Sequence, residues 1–125
     1  MSRTFQVIGL TAALSAIGPA SADEGNGRNF AIFGHGQDTC GQFIQARFNQ
    51  QENTAYGIWL AGYITAYNHF SPDTTDLSNL AANHNPEPMA GPLAWIEKYC
   101  TDHPMAYFME AVLEFTKAQH PNRAK

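Results

Sequence analysis

The sequence predicts an all-α protein, a small compact bundle of about four helices stapled by one disulfide. Three observations carry that expectation. Apolar residues recur at spacings of three and four along most of the chain. No stretch alternates apolar and polar residues with the period of two that a strand requires. Two cysteines, Cys40 and Cys100, stand far apart with no third to compete. A chain of 125 residues has room for one core and no more.

Residues 1–22 read as a signal peptide. Arg3 supplies a basic start, residues 7–17 are apolar with small interruptions, and Pro19-Ala20-Ser21-Ala22 ends in an A-x-A exit that places the cut between Ala22 and Asp23. The competing reading of the same residues is an amphipathic N-terminal helix. An apolar run of about a dozen residues falls short of the roughly 18–20 that span a bilayer, so no membrane insertion is expected once the signal is removed. No cysteine lies near the cut to carry a lipid anchor. Cleavage also removes Arg3 and leaves six basic against eleven acidic groups, a net charge of −5. Export places the protein in an oxidising compartment, most simply a periplasm.

In that compartment a Cys40–Cys100 bridge is the single intramolecular pairing available. Closing a loop of about 60 residues removes about 4 kcal/mol of unfolded-chain freedom on the chain-entropy account. A redox pair is the other reading, but such cysteines usually sit as C-x-x-C.

After the cut, residues 23–37 read as a flexible, glycine-rich N-terminal arm. Its apolar patch Phe30-Ala31-Ile32-Phe33 is either a tether onto the core or a contact for another chain. Residues 38–121 then form a single helical domain. Thr39-Cys40-Gly41-Gln42 matches a capping box, followed by Phe43, Ile44, Arg47 and Phe48 at helical spacing. A second helix is expected over 54–70, with Tyr56, Trp59, Tyr63, Tyr67 and Phe70 forming an aromatic face. Ile58, Leu60, Ala61 and Ile64 fill much of the remaining circumference, so this helix is expected to be covered on several sides. Gly62 in its middle is expected to admit the close approach of a neighbouring helix. Residues 74–82 suggest a short helix using Leu77 and Leu80, and 84–91 a loop. Pro92 fits the first position of a helix carrying Leu93, Trp95, Ile96, Tyr99 and Cys100. Asp102-His103-Pro104 resets the chain, with Pro104 expected to open the last helix through Met105, Phe108, Met109, Val112, Phe115 and Thr116 to Gln119.

Composition narrows the function. A pI near 5.6 without a basic run excludes a nucleic-acid footprint. His35, His69, His84, His103 and His120 have no metal-ligand spacing, and no phosphate loop or nucleophile elbow occurs, so no cofactor and no metal are expected. Glu110 and Glu114, with Lys117 behind them, read as a solvated helix face rather than a catalytic pair. Asp73 and Asp76 suit a turn and a helix start, and Ser71 and Ser78 have no base at a motif spacing. The expectation is a protein that binds other proteins and is not an enzyme. Its candidate binding or dimer surface is Trp59, Tyr63, Tyr67 and Phe70, with Phe30 and Phe33 of the arm. The plainer role for the same aromatic face is core.

Thr39-Cys40-Gly41-Gln42-Phe43-Ile44 resembles the T-C-x-x-F-[IL] opening of the HdeA/HdeB acid-stress chaperones. The segment from Trp95 to Pro104, a helix ending in Tyr99-Cys100 with a proline four residues on, is similar to their second cysteine segment. The resemblance spans residues 38–117 and implies a periplasmic, ATP-independent holdase for unfolded clients. In those chaperones a neutral-pH homodimer hides apolar surface that acid releases. The charge permits such a response, since full protonation takes this chain from −5 to about +12. Trp59-Leu60-Ala61-Gly62-Tyr63-Ile64 is more like the G-Y-[IV] helix of small periplasmic immunity proteins that neutralise cell-wall amidases. That likeness implies one specific partner, bound and blocked by an inhibitor. An envelope structural subunit is a third class.

Overall fold

The structure, a computed structural model, describes residues 30–78 and 89–125. The expected signal peptide with its cut at Ala22–Asp23 lies outside the described residues, as do Leu80 and most of the expected loop after it. The chain divides into Met1–Phe30 and Ala31–Lys125, and every element below belongs to the second unit.

The described residues of that unit form four α-helices: α1 (Cys40–Ala46), α2 (Gln50–Phe70), α3 (Ala90–Asp102) and α4 (Phe108–Gln119). A 3-10 turn, Gly34–Gln37, precedes α1, and a second, His120–Asn122, follows α4. Among the described residues the only β pairing is two isolated bridges, Thr39 with Tyr107 and Asp76 with Ala124.

Helix α1 starts where its cap dictates. Thr39 Oγ1 accepts from the Gln42 amide at 3.2 Å, and Gln42 Oε1 accepts from the Thr39 amide at 2.7 Å. The next two free amides are satisfied from across the fold, Cys40 donating to the Ala106 carbonyl at 2.7 Å and Gly41 to that of Pro104 at 2.9 Å. Those bonds explain a departure from expectation. Pro104 does not open the last helix, because the carbonyls of Pro104 and Ala106 are committed to α1. Helix α4 instead begins at Phe108, where Glu110 Oε2 accepts from the Tyr107 amide at 2.9 Å and Met105 is left exposed.

Other boundaries move for similarly local reasons. Asn49 Oδ1 accepts from the amides of Gln51 and Glu52, so α2 begins a turn earlier than expected. Helix α1 ends at Ala46, leaving Phe48 exposed rather than on a core stripe. Helix α3 begins at Ala90, and Pro92 lies buried in its first turn, where a missing N–H is harmless. Residues 74–78 are not helical. Thr75 donates to the Ala124 carbonyl and Ala124 to that of Asp76, so the C-terminus holds this segment extended.

The core is built from Phe43 of α1, Tyr56, Leu60 and Ile64 of α2, Leu93 and Ile96 of α3, and Phe108, Ala111, Val112 and Phe115 of α4, with Leu77. Cys40 and Cys100 form the disulfide inside it, tying the first turn of α1 to the end of α3 with Cα atoms 4.8 Å apart. The Arg47 guanidinium reaches Glu97 of α3 at 2.7 Å and Asn53 of α2 at 2.7 Å, joining three helices at one point. Helix α2 is not wrapped all round. Ile58 is 69% exposed, and among the described residues nothing lies within 4 Å of a Cβ added at Gly62. The close approach expected at Gly62 is not found there, and at Gly57, which faces Leu93 of α3, an added Cβ would meet that side chain at an ordinary 3.6 Å.

Candidate functional site

The aromatic row of α2 exists, and most of it faces α4. Tyr56 is buried, its ring centroid 5.1 Å from Phe43 and 4.9 Å from Phe108. Trp59 meets Phe108 edge-to-face at 5.6 Å and stacks on Tyr63 at 6.3 Å, which stacks on Tyr67 at 6.4 Å. The phenol of Tyr63 lies 3.0 Å from Thr116 Oγ1, whose own hydrogen goes to the Val112 carbonyl, so Tyr63 donates. Tyr67 pairs through its hydroxyl with Nδ1 of His120, in the turn beyond α4. Trp59, Tyr63 and Tyr67 are therefore half-buried with their polar tips engaged, as amphipathic rings are when one side is covered. Phe70, the last of the row, is 81% exposed. Phe33 and Phe30 of the arm are exposed as well.

What covers the outer side of Trp59 is residues 31–38, the end of the expected flexible arm. They form a strap rather than a loose chain. The Trp59 indole N–H donates to the Phe33 carbonyl at 3.0 Å, and Gln37 donates to the carbonyl of Ile32. Gly34 turns the chain with φ at +60°, a conformation in which glycine meets no penalty. Gly36 then passes so close to Trp59 that an added Cβ would lie 2.7 Å from its ring and 2.6 Å from Ile32. A single carboxylate ties the strap down. Asp38 Oδ2 accepts from the Tyr56 hydroxyl at 2.7 Å and lies 2.8 Å from His35 Nδ1, while the Asp38 carbonyl accepts from the Phe108 amide. His35 also lies against the Tyr56 ring, 4.3 Å between centroids.

Electrostatics marks the same place. Burial, then the hydrogen bond to Asp38 and the negative charges of Asp38 and Glu52, push the Tyr56 phenol well above its ordinary range. Folding thus favours the protonated phenol. Its contribution is intact below the unfolded value near 10 and is lost as the pH rises beyond it. In an alkaline titration followed by phenolate absorbance, the fold is expected to open above pH ~10 as Tyr56 ionises, and Tyr56→Phe to move that opening to higher pH. An unmoved transition would remove Tyr56 from the account. Tyr99 is raised also, by burial and the charges of Glu114 and Glu110, with Lys117 opposing.

The Asp38 cluster ties the strap to α2 and α4. The shallow cleft beside it is lined by His35, Asp38, Thr39, Gly41, Gln42, Gln45, Ala46, Glu52 and Tyr56, and the Thr39 hydroxyl is engaged by Gln42. Elsewhere Lys117 pairs with Glu114, Glu110 caps α4, and Nδ1 of His103 lies 2.9 Å from the Tyr99 carbonyl. Among the described residues no three His, Cys, Asp or Glu side chains converge as metal ligands do. No described helix is long and apolar enough to cross a membrane. No family model, curated protein or solved structure matches this chain.

The strap residues His35, Gly36 and Asp38 were not singled out from sequence. Their signal was a histidine three residues before an aspartate that itself precedes a capping threonine. Nothing local in that pattern points to Tyr56, 18 residues further on.

Proposed function

We propose that this protein is an exported, ATP-independent holdase that grips acid-unfolded proteins. The motif resemblance to the HdeA/HdeB chaperones supports the reading, and one observation of the fold carries it. The strap over Trp59 is fastened through a carboxylate, Asp38, that accepts from both Tyr56 and His35. At pH 2 carboxylates as a class are neutral and imidazoles charged, and this strap is fastened through one of each. A second carboxylate, Glu97, likewise holds Arg47 between helices. Self-repulsion of a chain that then carries only positive charge opens the fold further, and the buried disulfide limits how far it disperses. Trp59, Tyr63 and Tyr67, freed from the strap and α4, are the client surface, with Phe33 and Phe70 exposed throughout.

The test mixes purified protein with an aggregating client at pH 2–3 and follows light scattering. Suppressed aggregation is expected. Gly36→Ala, which has no room for its methyl group, is expected to unseat the strap at neutral pH, shift tryptophan emission to the red and confer holding activity without acid. Unchanged aggregation over a tenfold excess of protein in acid overturns the reading. One stoichiometric partner captured from periplasmic extract at neutral pH, without any effect in acid, replaces it by the inhibitor reading.

A further inference from the structure

We propose that the track beneath the strap, formed by α2 and the start of α4, is a peptide-binding groove. Its ligand is an unfolded segment of the strap's own chemistry, Gly-x-Gly followed by a carboxylate two residues after the second glycine. The strap is then a tethered stand-in for the client. The inference deepens the holdase reading and rests on it for one point, that the strap leaves these helices.

The hydrogen bonds that join the strap to the described helices all run one way. The Trp59 indole N–H donates to the Phe33 carbonyl at 3.0 Å, the Tyr56 hydroxyl to Asp38 Oδ2 at 2.7 Å, and the Phe108 amide to the Asp38 carbonyl at 2.7 Å. The helices supply donors and the strap supplies acceptors. Phe108 is the first residue of α4, so its amide finds no carbonyl within its own helix. When the strap lifts, all three donors remain on α2 and α4 for the next acceptor.

Between those donors the fit selects glycine. Gly34 turns with φ at +60°, and an added Cβ would lie 3.4 Å from the indole of Trp59. Gly36 is buried against the same ring, where an added Cβ would stand 2.7 Å from Cζ2. A side chain at that point cannot lie flat on Trp59. The carboxylate follows, since Asp38 is the side chain that meets the Tyr56 hydroxyl. His35, between the glycines, adds a ring contact with Tyr56 at 4.3 Å between centroids. Phe33 is 75% exposed, and the exposed Gln37 turns back onto the strap's own Ile32 carbonyl, so the groove reads neither. Recognition therefore rests on main-chain carbonyls, two missing side chains and one carboxylate. Such segments recur in many unfolded chains, which suits a binder of varied clients.

Tethering keeps the groove closed. A strap joined directly to α1 faces it at an effective concentration on the order of millimolar, which a free segment of the same sequence does not match.

The test uses the full chain at neutral pH and a fluorescently labelled peptide of the sequence 31–39, followed by anisotropy. Gly36→Ala unseats the strap, and Gly36→Ala combined with Asp38→Ala removes its side-chain tie as well. Saturable binding to an opened form is expected, at least about tenfold tighter than to the wild type. Within the peptide, Gly36→Leu and Asp38→Ala are each expected to weaken binding by about tenfold, and Phe33→Ser by less than about twofold. Trp59→Phe in the opened protein, which keeps a ring and loses the donor, is expected to weaken it by about tenfold. A peptide that binds neither opened form overturns the inference, and so does binding indifferent to the glycine and carboxylate replacements. Aggregation suppressed in acid beside either result leaves the holdase reading in place. Selective peptide binding by a protein that suppresses no aggregation in acid supports the groove and overturns that reading instead.

Discussion

Replacing Cys40 and Cys100 together by alanine is expected to lower the unfolding free energy by about 4 kcal/mol. The two side chains are fully buried and join the start of α1 to the end of α3, 60 residues apart in sequence. Without the bond the unfolded chain regains the freedom of a loop of that length. The total stability of such a domain is only about 5–15 kcal/mol, so the loss is a large share of it. Alanine at both positions keeps the site apolar and leaves no buried thiol. Urea unfolding of the double variant beside the oxidised wild type reads the difference directly. A loss below about 1 kcal/mol would mean that the reduced chain is already held compact by its packing.

Phe108→Ala is expected to cost about 3–5 kcal/mol, the largest effect of any single truncation away from the disulfide. The ring is fully buried at the first position of α4 and packs against rings of both α1 and α2. Its centroid is 4.8 Å from that of Phe43 on α1, and 4.9 and 5.6 Å from those of Tyr56 and Trp59 on α2. Removing it leaves a cavity among aromatic rings that have few ways to close it. Phe48→Ala serves as the contrast, since Phe48 is 84% exposed and its loss is expected to stay within about 0.5 kcal/mol. Similar losses for the two variants would contradict the burial that separates them.

The difference between Phe48 and Phe108 shows where sequence reasoning stops. Both sit at helical spacing in an apolar run, and periodicity assigns both to a core face. Periodicity reports which residues share a stripe, but not where the helix ends beneath them. Helix α1 stops at Ala46, so Phe48 lies past the core. Gly62 shows the same limit from the other side. A glycine within an apolar helix is consistent with a close neighbour or with none, and only the placement of α3 under Gly57 decides between them.

Contacts within four residues were readable. Thr39 and Gln42 carry their capping box in their own spacing, and the helical character of 54–70 is plain from its side chains. The start of the last helix was misplaced because its competitor is remote. Pro104 is a good opening residue in isolation, but the free amides of Cys40 and Gly41 claim the carbonyls of Ala106 and Pro104 from more than 60 residues away. The Asp38–Tyr56 tie was invisible for the same reason, since each partner alone is an ordinary polar residue.

The amino-acid sequence alone determined the class of this protein: helical, with two cysteines able to pair in only one way. Those properties follow from short-range periodicity and from counting, and neither depends on how the helices are arranged. The tertiary structure alone decided which way each aromatic ring points, that residues 31–38 lie on Trp59, and that among the described residues nothing packs on α2 at Gly62. Burial and hydrogen-bond partners arise between segments distant in the chain, and a one-dimensional pattern carries no record of which distant segments meet.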